Sequence, residues 1–237
     1  MNIKLIKNDC MRVFETLESN SIQLVLTDIP YGEVSKNGEE RAKYSGQLRK
    51  LDKSKADEVT FELDKFLEEC YRVCKGTIYI FCGIEQLSGV FSYFKNKKDC
   101  MVRQCAWKKT NPAPSNGQHM WLSSMENCVF VKKRKTLFNE NCKSSVWEFP
   151  TGRSKVHPTE KPLDLFEKLL LASSNEGDTV LDPCMGSATT GVACLKNNRN
   201  FIGIELDDTY FETCKNRINT YIKDNNMQDI NVKIHNF

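Results

Sequence analysis

Histidine is scarce, three in 237 residues, and the eleven cysteines include no Cys-x-x-Cys pair. Structural zinc needs closely spaced soft ligands, so no metal is expected. The cysteines are odd in number and irregularly spaced, and most sit in apolar segments, as Cys82 does in TIYIFC and Cys128 in ENCVFV. They read as small buried hydrophobes in a reducing compartment, not as a disulfide framework. No run approaches the roughly 20 apolar residues of a membrane helix. MNIKLIKNDC also lacks the apolar centre of a secretory signal. A cytosolic chain with no membrane partner is expected. Neither an internal repeat nor a low-complexity tract occurs, and no Gly-x-Gly-x-x-Gly marks a nicotinamide dinucleotide site.

What is present suits one globular unit. Apolar residues make up 40% of the chain, enough for a single sizeable core. The net charge of +3 hides an asymmetry: Lys95 to Lys161 carries fourteen basic and five acidic residues, net +9, leaving −6 elsewhere. The densest piece is Lys132, Lys133, Arg134 and Lys135, with Lys108, Arg153 and Lys155 in the same segment. Such a block is either a solvated face or a surface for phosphates, and the second reading makes these seven residues candidate phosphate contacts.

Apolar runs bounded by turn signals predict strands at 22–27, 77–82, 102–107, 128–132, 179–182 and 201–205. Helical spacing predicts helices over 61–73, 163–173, 189–196 and 208–222, with Pro162 suited to a first helical turn. Strands alternating with helices argue for an α/β fold whose largely parallel sheet binds ligands at the carboxyl ends of its strands. Two segments do not fit the alternation. Residues 33–55 read as a mobile loop, and residues 133–156 as a compact basic insert.

Two stretches carry chemistry. In TDIPYG a strand runs into Asp28, Ile29, Pro30 and Tyr31, a turn that fixes an aromatic ring three residues from a carboxylate. In VLDPCMGSATTG a strand ends at Asp182, followed by Pro183, Cys184, Gly186 and Ser187, with a helix starting near Ser187 or Thr189. The next strand ends at Glu205, where α/β nucleotide sites hold ribose hydroxyls. Having a single glycine, this turn suits a nucleoside without pyrophosphate. S-adenosylmethionine fits, with Asp182 a sensible neighbour for its cationic end.

TDIPYG, VHPTEKP and VLDPCMGSATTG…FIGIELD, in that order, resemble the beta-group amino-methyltransferases of DNA, in which the catalytic motif precedes the cofactor motif. The likeness spans nearly the whole chain and includes NDC (Asn8 to Cys10), WKKTNPAP and MENCVFVKK. It departs where Ile29 replaces a usual Pro, Cys184 a Phe, Ala188 a Gly and Met125 a His, the last weakening any role for that position. The resemblance implies one S-adenosylmethionine-dependent, Rossmann-like methyltransferase domain over 1–237, its mixed sheet mostly parallel with helices on both faces and 133–156 a target-recognition insert. It implies that Asp28 and the Ile29 carbonyl accept an adenine N6 amino group, that Tyr31 stacks on the flipped base, and that Pro30 fixes the turn. Asp9, Cys10, Asp28, Lys161, Asp182, Pro183, Cys184, Gly186, Ser187, Thr189, Glu205 and Leu206 form the implied cofactor site, with Lys161 and Thr159 near the methionine carboxylate. Double-stranded DNA is the implied substrate. A homodimer and a restriction endonuclease partner are compatible with the likeness, in the cytoplasm of a prokaryotic or phage-infected cell. Asp28 favours adenine N6 over cytosine N4, where family members tend to carry Ser. An inactive DNA-binding homologue and a methyltransferase for small molecules or proteins are the other readings.

Overall fold

A computed structural model of the chain describes residues 1–31, 60–114, 117–152 and 161–236. The loop expected over 33–55 lies outside these residues, as do Arg153, Lys155 and Thr159. In chain order the strands are β1 (Asn2–Lys7), β2 (Ile22–Asp28), β3 (Cys74–Cys82), β4 (Cys100–Lys109), β5 (Met125–Lys133), β6 (Val146–Phe149), β7 (Thr179–Asp182), β8 (Asn200–Glu205) and β9 (Asn231–Asn236). The helices are α1 (Cys10–Phe14), α2 (Leu63–Val73), α3 (Ile84–Lys95), α4 (Leu163–Ser173), α5 (Thr189–Lys196) and α6 (Asp208–Asp224).

The strands form one sheet in the order β6-β4-β5-β3-β2-β7-β8-β1-β9. Among the described residues only β5 runs against the rest, pairing antiparallel with both β3 and β4. This is the mixed, mostly parallel α/β architecture that the alternation predicts.

The central strands are apolar on both faces because both are covered. Leu24, Leu26, Tyr79, Phe81 and Phe201 point into one core with Phe166, Leu169 and Leu170 of α4, Val192 of α5 and Phe211 of α6. Val25, Ile78, Ile80, Leu181 and Ile204 point the other way, onto Val13 and Phe14 of α1, Phe66, Leu67 and Cys70 of α2 and Phe94 of α3. In α2 the buried positions 66, 67, 70 and 73 make one helical stripe. By contrast α5 is buried at every residue from Thr189 to Leu195.

Six strands fall where the apolar runs place them, and three others were not read from the sequence. β1 and β9 lie at one border of the sheet and β6 at the other. Their sequences, NIKLIK, NVKIHN and VWEF, are too short or too polar to stand out as buried runs. The segment after β5 is not separate from the sheet: it supplies β6, which extends the sheet beside β4.

Candidate active site

Four parallel strands adjacent in the sheet, in the order β2-β7-β8-β1, bring four carboxylates to one edge: Asp28, Asp182, Glu205 and, just beyond β1, Asp9. Neighbouring strands lie about 4.8 Å apart, so the row spans roughly 14 Å. The edge is the carboxyl one, where ligands bind in open α/β sheets.

At the β2 end a charged cluster is assembled. The Tyr31 hydroxyl donates to Asp28 Oδ1 at 2.9 Å, and Lys161 Nζ donates to Asp28 Oδ2. Lys161 also reaches Glu126 Oε2 at 3.0 Å, and Lys109 holds Glu126 Oε1 at 2.8 Å. Two carboxylates and two ammoniums thus balance in a partly closed site. Lys161 is only 6% exposed, against 25% for the Asp28 side chain and 19% for that of Glu126.

Burial pushes the Asp28 carboxyl up, and the attraction of Lys161 only partly offsets it. Glu126 is also penalised by burial, but its two lysines win and hold its carboxyl below the ordinary range. Against the cost of burial, the flanking carboxylates keep Lys161 charged and raise its ammonium. Burial and the neighbouring Asp28 raise the Tyr31 phenol well above its usual value, so the phenol stays a donor.

The turn that carries Tyr31 is fixed by its neighbours. The Ile29 amide donates to the Phe81 carbonyl at 3.1 Å. Gln86 Nε2 donates to the Pro30 carbonyl at 2.8 Å, while Gln86 Oε1 accepts the Gly83 amide at 2.9 Å. Ile29 is 1% exposed, so the side chain standing in for proline is anchored in the core.

At the β7 end, Asp182 is 3% exposed and held by neutral donors: the Thr190 hydroxyl at 2.6 Å and the Cys184 amide at 3.2 Å. Burial raises its carboxyl to about 7, although these donors oppose the shift. Pro183 and Met185 are buried beneath the turn. A Cβ at Gly203 would meet Met185 Sδ at 2.4 Å, so glycine there lets the turn lie flat on β8.

Gly186 has φ +49 and Ala188 φ +57, the left-handed region. For Ala188 this costs about 1–2 kcal/mol, set against a fully buried methyl group. The resemblance expects glycine there, and the backbone shape is one that glycine takes without strain. Glu205 accepts the Gly186 amide at 3.0 Å and the Asp207 amide at 2.9 Å, and burial raises its carboxyl.

The remaining residues of the expected cofactor site gather around these turns. Asp9 caps α1 by accepting the Met11 amide at 2.7 Å, and the Asn8 amide donates to the Glu205 carbonyl at 3.1 Å. The Cys184 thiol is pushed well up by the neighbouring Cys10 thiol and by burial, which sets the start of α1 beside the β7 turn. Ser187 and Thr189 share a hydroxyl contact of 3.2 Å and are steadied by Arg217. Leu206 is 44% exposed beside Glu205. Lys161 stands with Asp28 and Glu126, at the β2 end of the row.

The basic residues divide. Lys108 lies at the site edge, half-exposed and paired with Glu148 at 2.9 Å. Lys132 to Lys135 lie at the opposite edge, because β5 runs antiparallel and pairs Lys132 with Thr77 near the start of β3. From Glu126 to Lys133 the strand covers about 24 Å. Lys132 is 8% exposed, Lys133 donates to the Tyr71 carbonyl at 2.9 Å, and Arg134 donates to the Lys98 carbonyl at 3.1 Å. The strand direction thus carries this block to the edge of the sheet away from Asp28, and three of its four residues are engaged in packing or backbone contacts. Trp107 is 2% exposed and donates to the Phe149 carbonyl, as suits a core residue.

Glu126 was not singled out from sequence. Its nearest signal was the segment MENCVFVKK, where Met125 in place of histidine argued against a role. Its partners Tyr31 and Lys161 lie 95 and 35 positions away, and no local pattern could have joined them.

Comparison with known proteins gives the same outline. The N6/N4 methyltransferase family, described as DNA methylase, matches residues 22–216. The type II methyltransferase M.HpaI of Haemophilus parainfluenzae is 34% identical over 93% of this chain and 75% of its own length. M.HinfI of Haemophilus influenzae is 30% identical, over 90% and 67% respectively. The crystal structure of the M1.HpyAVI–SAM complex aligns with a TM-score of 0.68 at 27% identity, over 92% of this chain and 99% of that one. PvuII DNA methyltransferase, cytosine-N4-specific, aligns with a TM-score of 0.70 at 15% identity over 98% and 95%, a likeness of fold.

Proposed function

The chain belongs to the N6/N4 family of DNA methylases, and from that premise we propose that it transfers a methyl group from S-adenosylmethionine to the exocyclic N6 of adenine in a base flipped out of double-stranded DNA. The observation that carries this reading is the Asp28–Tyr31 pair, held at 2.9 Å at the carboxyl end of a central strand. S-adenosylmethionine suits the adjoining turns because Asp182, buried among neutral donors, lacks a positive partner in those contacts, and a cationic methionyl end would supply one. Asp9, Glu205, Gly186, Ser187 and Thr189 would hold the remainder. When bound, this cofactor supplies an activated methyl group on a sulfonium.

Asp28 and the Ile29 carbonyl accept the two N–H bonds of the amino group, which turns its lone pair out of conjugation with the ring. The Tyr31 ring supports the base, a stacking contact worth roughly 1–3 kcal/mol, comparable with the few kcal/mol that extrusion costs. As nitrogen gains the methyl group it must lose a proton. Asp28, its carboxyl raised by burial, is the nearest acceptor. Lys161 must first loosen its hold on Asp28, and its ammonium would then hold the carboxylate of bound S-adenosylmethionine. Otherwise the work is alignment.

Lys108, half-exposed at this edge, would contact a phosphate, whereas Lys132 to Lys135 lie at the opposite edge of the sheet. In the same reading the protein acts in the cytoplasm, with a second copy and a restriction endonuclease as its protein partners. Among the described residues no helix is long and apolar enough to cross a membrane. Nucleoside mass spectrometry on DNA incubated with protein and S-adenosylmethionine tests the base assignment. N6-methyladenine is expected, and N4-methylcytosine without it would overturn the choice of base.

A further inference from the structure

The loop between β4 and β5 leaves the sheet at the same edge as Asp28. Lys109 ends one strand and its amide closes on the Ser124 carbonyl at 2.7 Å, one residue before Met125 and two before the site's Glu126. Trp121 is five residues from Glu126, so its Cα lies within about 17 Å of that residue's. Its exposure is 97%, and Met120 at 63% and Leu122 at 36% flank it at the tip. Trp107 and Trp147, by contrast, are 2% and 8% exposed. The tip is ordered locally: the Gly117 amide donates to the Pro114 carbonyl at 3.2 Å, and Leu122 packs against Gly117 so closely that a Cβ there would meet Leu122 Cδ2 at 2.9 Å. A large aromatic held out in water between two apolar neighbours marks a contact surface.

Charge points to the occupant. From Lys108 to Ser124 the sequence has two lysines and a histidine and no carboxylate, in a chain with 31 acidic residues. The two root lysines are paired, Lys108 with Glu148 and Lys109 with Glu126, so an apolar tip with no acidic side chain of its own stands at the edge where a base is presented to Asp28, which fits the bases of a distorted duplex. We propose that Met120–Leu122 is a stacking wedge for DNA, in which the Trp121 ring lies against the bases uncovered when the target nucleotide leaves the helix. The inference rests on the DNA-methylating function proposed above.

Trp121 is the exposed tryptophan among three, so acrylamide quenching of tryptophan fluorescence reads it selectively. The probe is a duplex carrying the methylated sequence identified beforehand in DNA of a host expressing the chain. Saturating duplex should lower the quenching constant of the wild type severalfold. Trp121→Ala should slow methyl transfer about tenfold at unchanged S-adenosylmethionine affinity, and Trp121→Phe should restore most of the rate. An unchanged quenching constant at saturating DNA, or full activity in Trp121→Ala, overturns the wedge alone. So does conversion of a sedimenting dimer to monomers by Trp121→Ala, which would make the tip a contact between copies. A wild-type protein that methylates no DNA overturns the functional reading and the wedge together.

Discussion

Replacing Lys161 by Met removes the ammonium shared by Asp28 and Glu126 while keeping most of the side chain's length. Breaking a fully buried ion pair by deleting one partner costs about 3–5 kcal/mol. Here the two carboxylates keep 25% and 19% exposure and Lys109 stays on Glu126, so the loss is set lower, at about 2 kcal/mol. For a chain of this size that is about 4–8 °C in Tm. The pH dependence distinguishes this from simple loss of packing. Asp28 already has its folded-state pKa raised above its ordinary 3.8, and removing Lys161 raises it further. A raised carboxyl contributes stability that is fully present below the unfolded pKa and is lost as pH rises through the folded one. Glu126 is the opposite case: its lowered pKa stabilises the fold above its ordinary value of 4.5, and part of that is lost with Lys161. Both effects make the variant's deficit small near pH 4 and full near pH 8. Thermal unfolding of both proteins across that range measures it. A deficit that is equal at both ends, or larger in acid, would refute the electrostatic account of the cluster.

Two other predictions follow from the same row of carboxylates and from the sheet's direction. Asp182, with its carboxyl near 7, should make S-adenosylmethionine affinity rise about tenfold per pH unit below 7 and level off above it; calorimetry from pH 5.5 to 8.5 reads this, and an Asp182→Asn variant should bind weakly and without that slope. Lys108→Ala should lower the salt slope of DNA binding by about 0.9, whereas Lys135→Ala, on the far edge, should leave it alone. The reverse order in a fluorescence titration against salt would return the basic block to the interface.

The sequence spoke most clearly where the chemistry is local. Asp28 and Tyr31 are three residues apart, and the turn after Asp182 announces itself by its small residues and by Glu205 at the end of the following strand. The central strands were legible because burial on both faces makes them continuously apolar. Border strands such as β1 and β9 alternate with Lys and Asn, and α3 carries Ser and Gly in its interior, so neither stood out. What could not be read was direction. Lys108 and Lys132 look equivalent in a list of basic residues, yet one antiparallel strand puts them at opposite edges. Glu126 needed the same information, since only the hairpin of β4 and β5 carries it to Tyr31 and Lys161.

The central claim is that Asp28 accepts the amino group and takes no essential part in holding the cofactor. Single-turnover methyl transfer by Asp28→Ala, measured beside its S-adenosylmethionine and DNA affinities, tests it most directly. The account predicts transfer reduced at least a thousandfold, about 4 kcal/mol of transition-state stabilisation, with both affinities within a few-fold of the wild type. Transfer at the wild-type rate in that variant would contradict it.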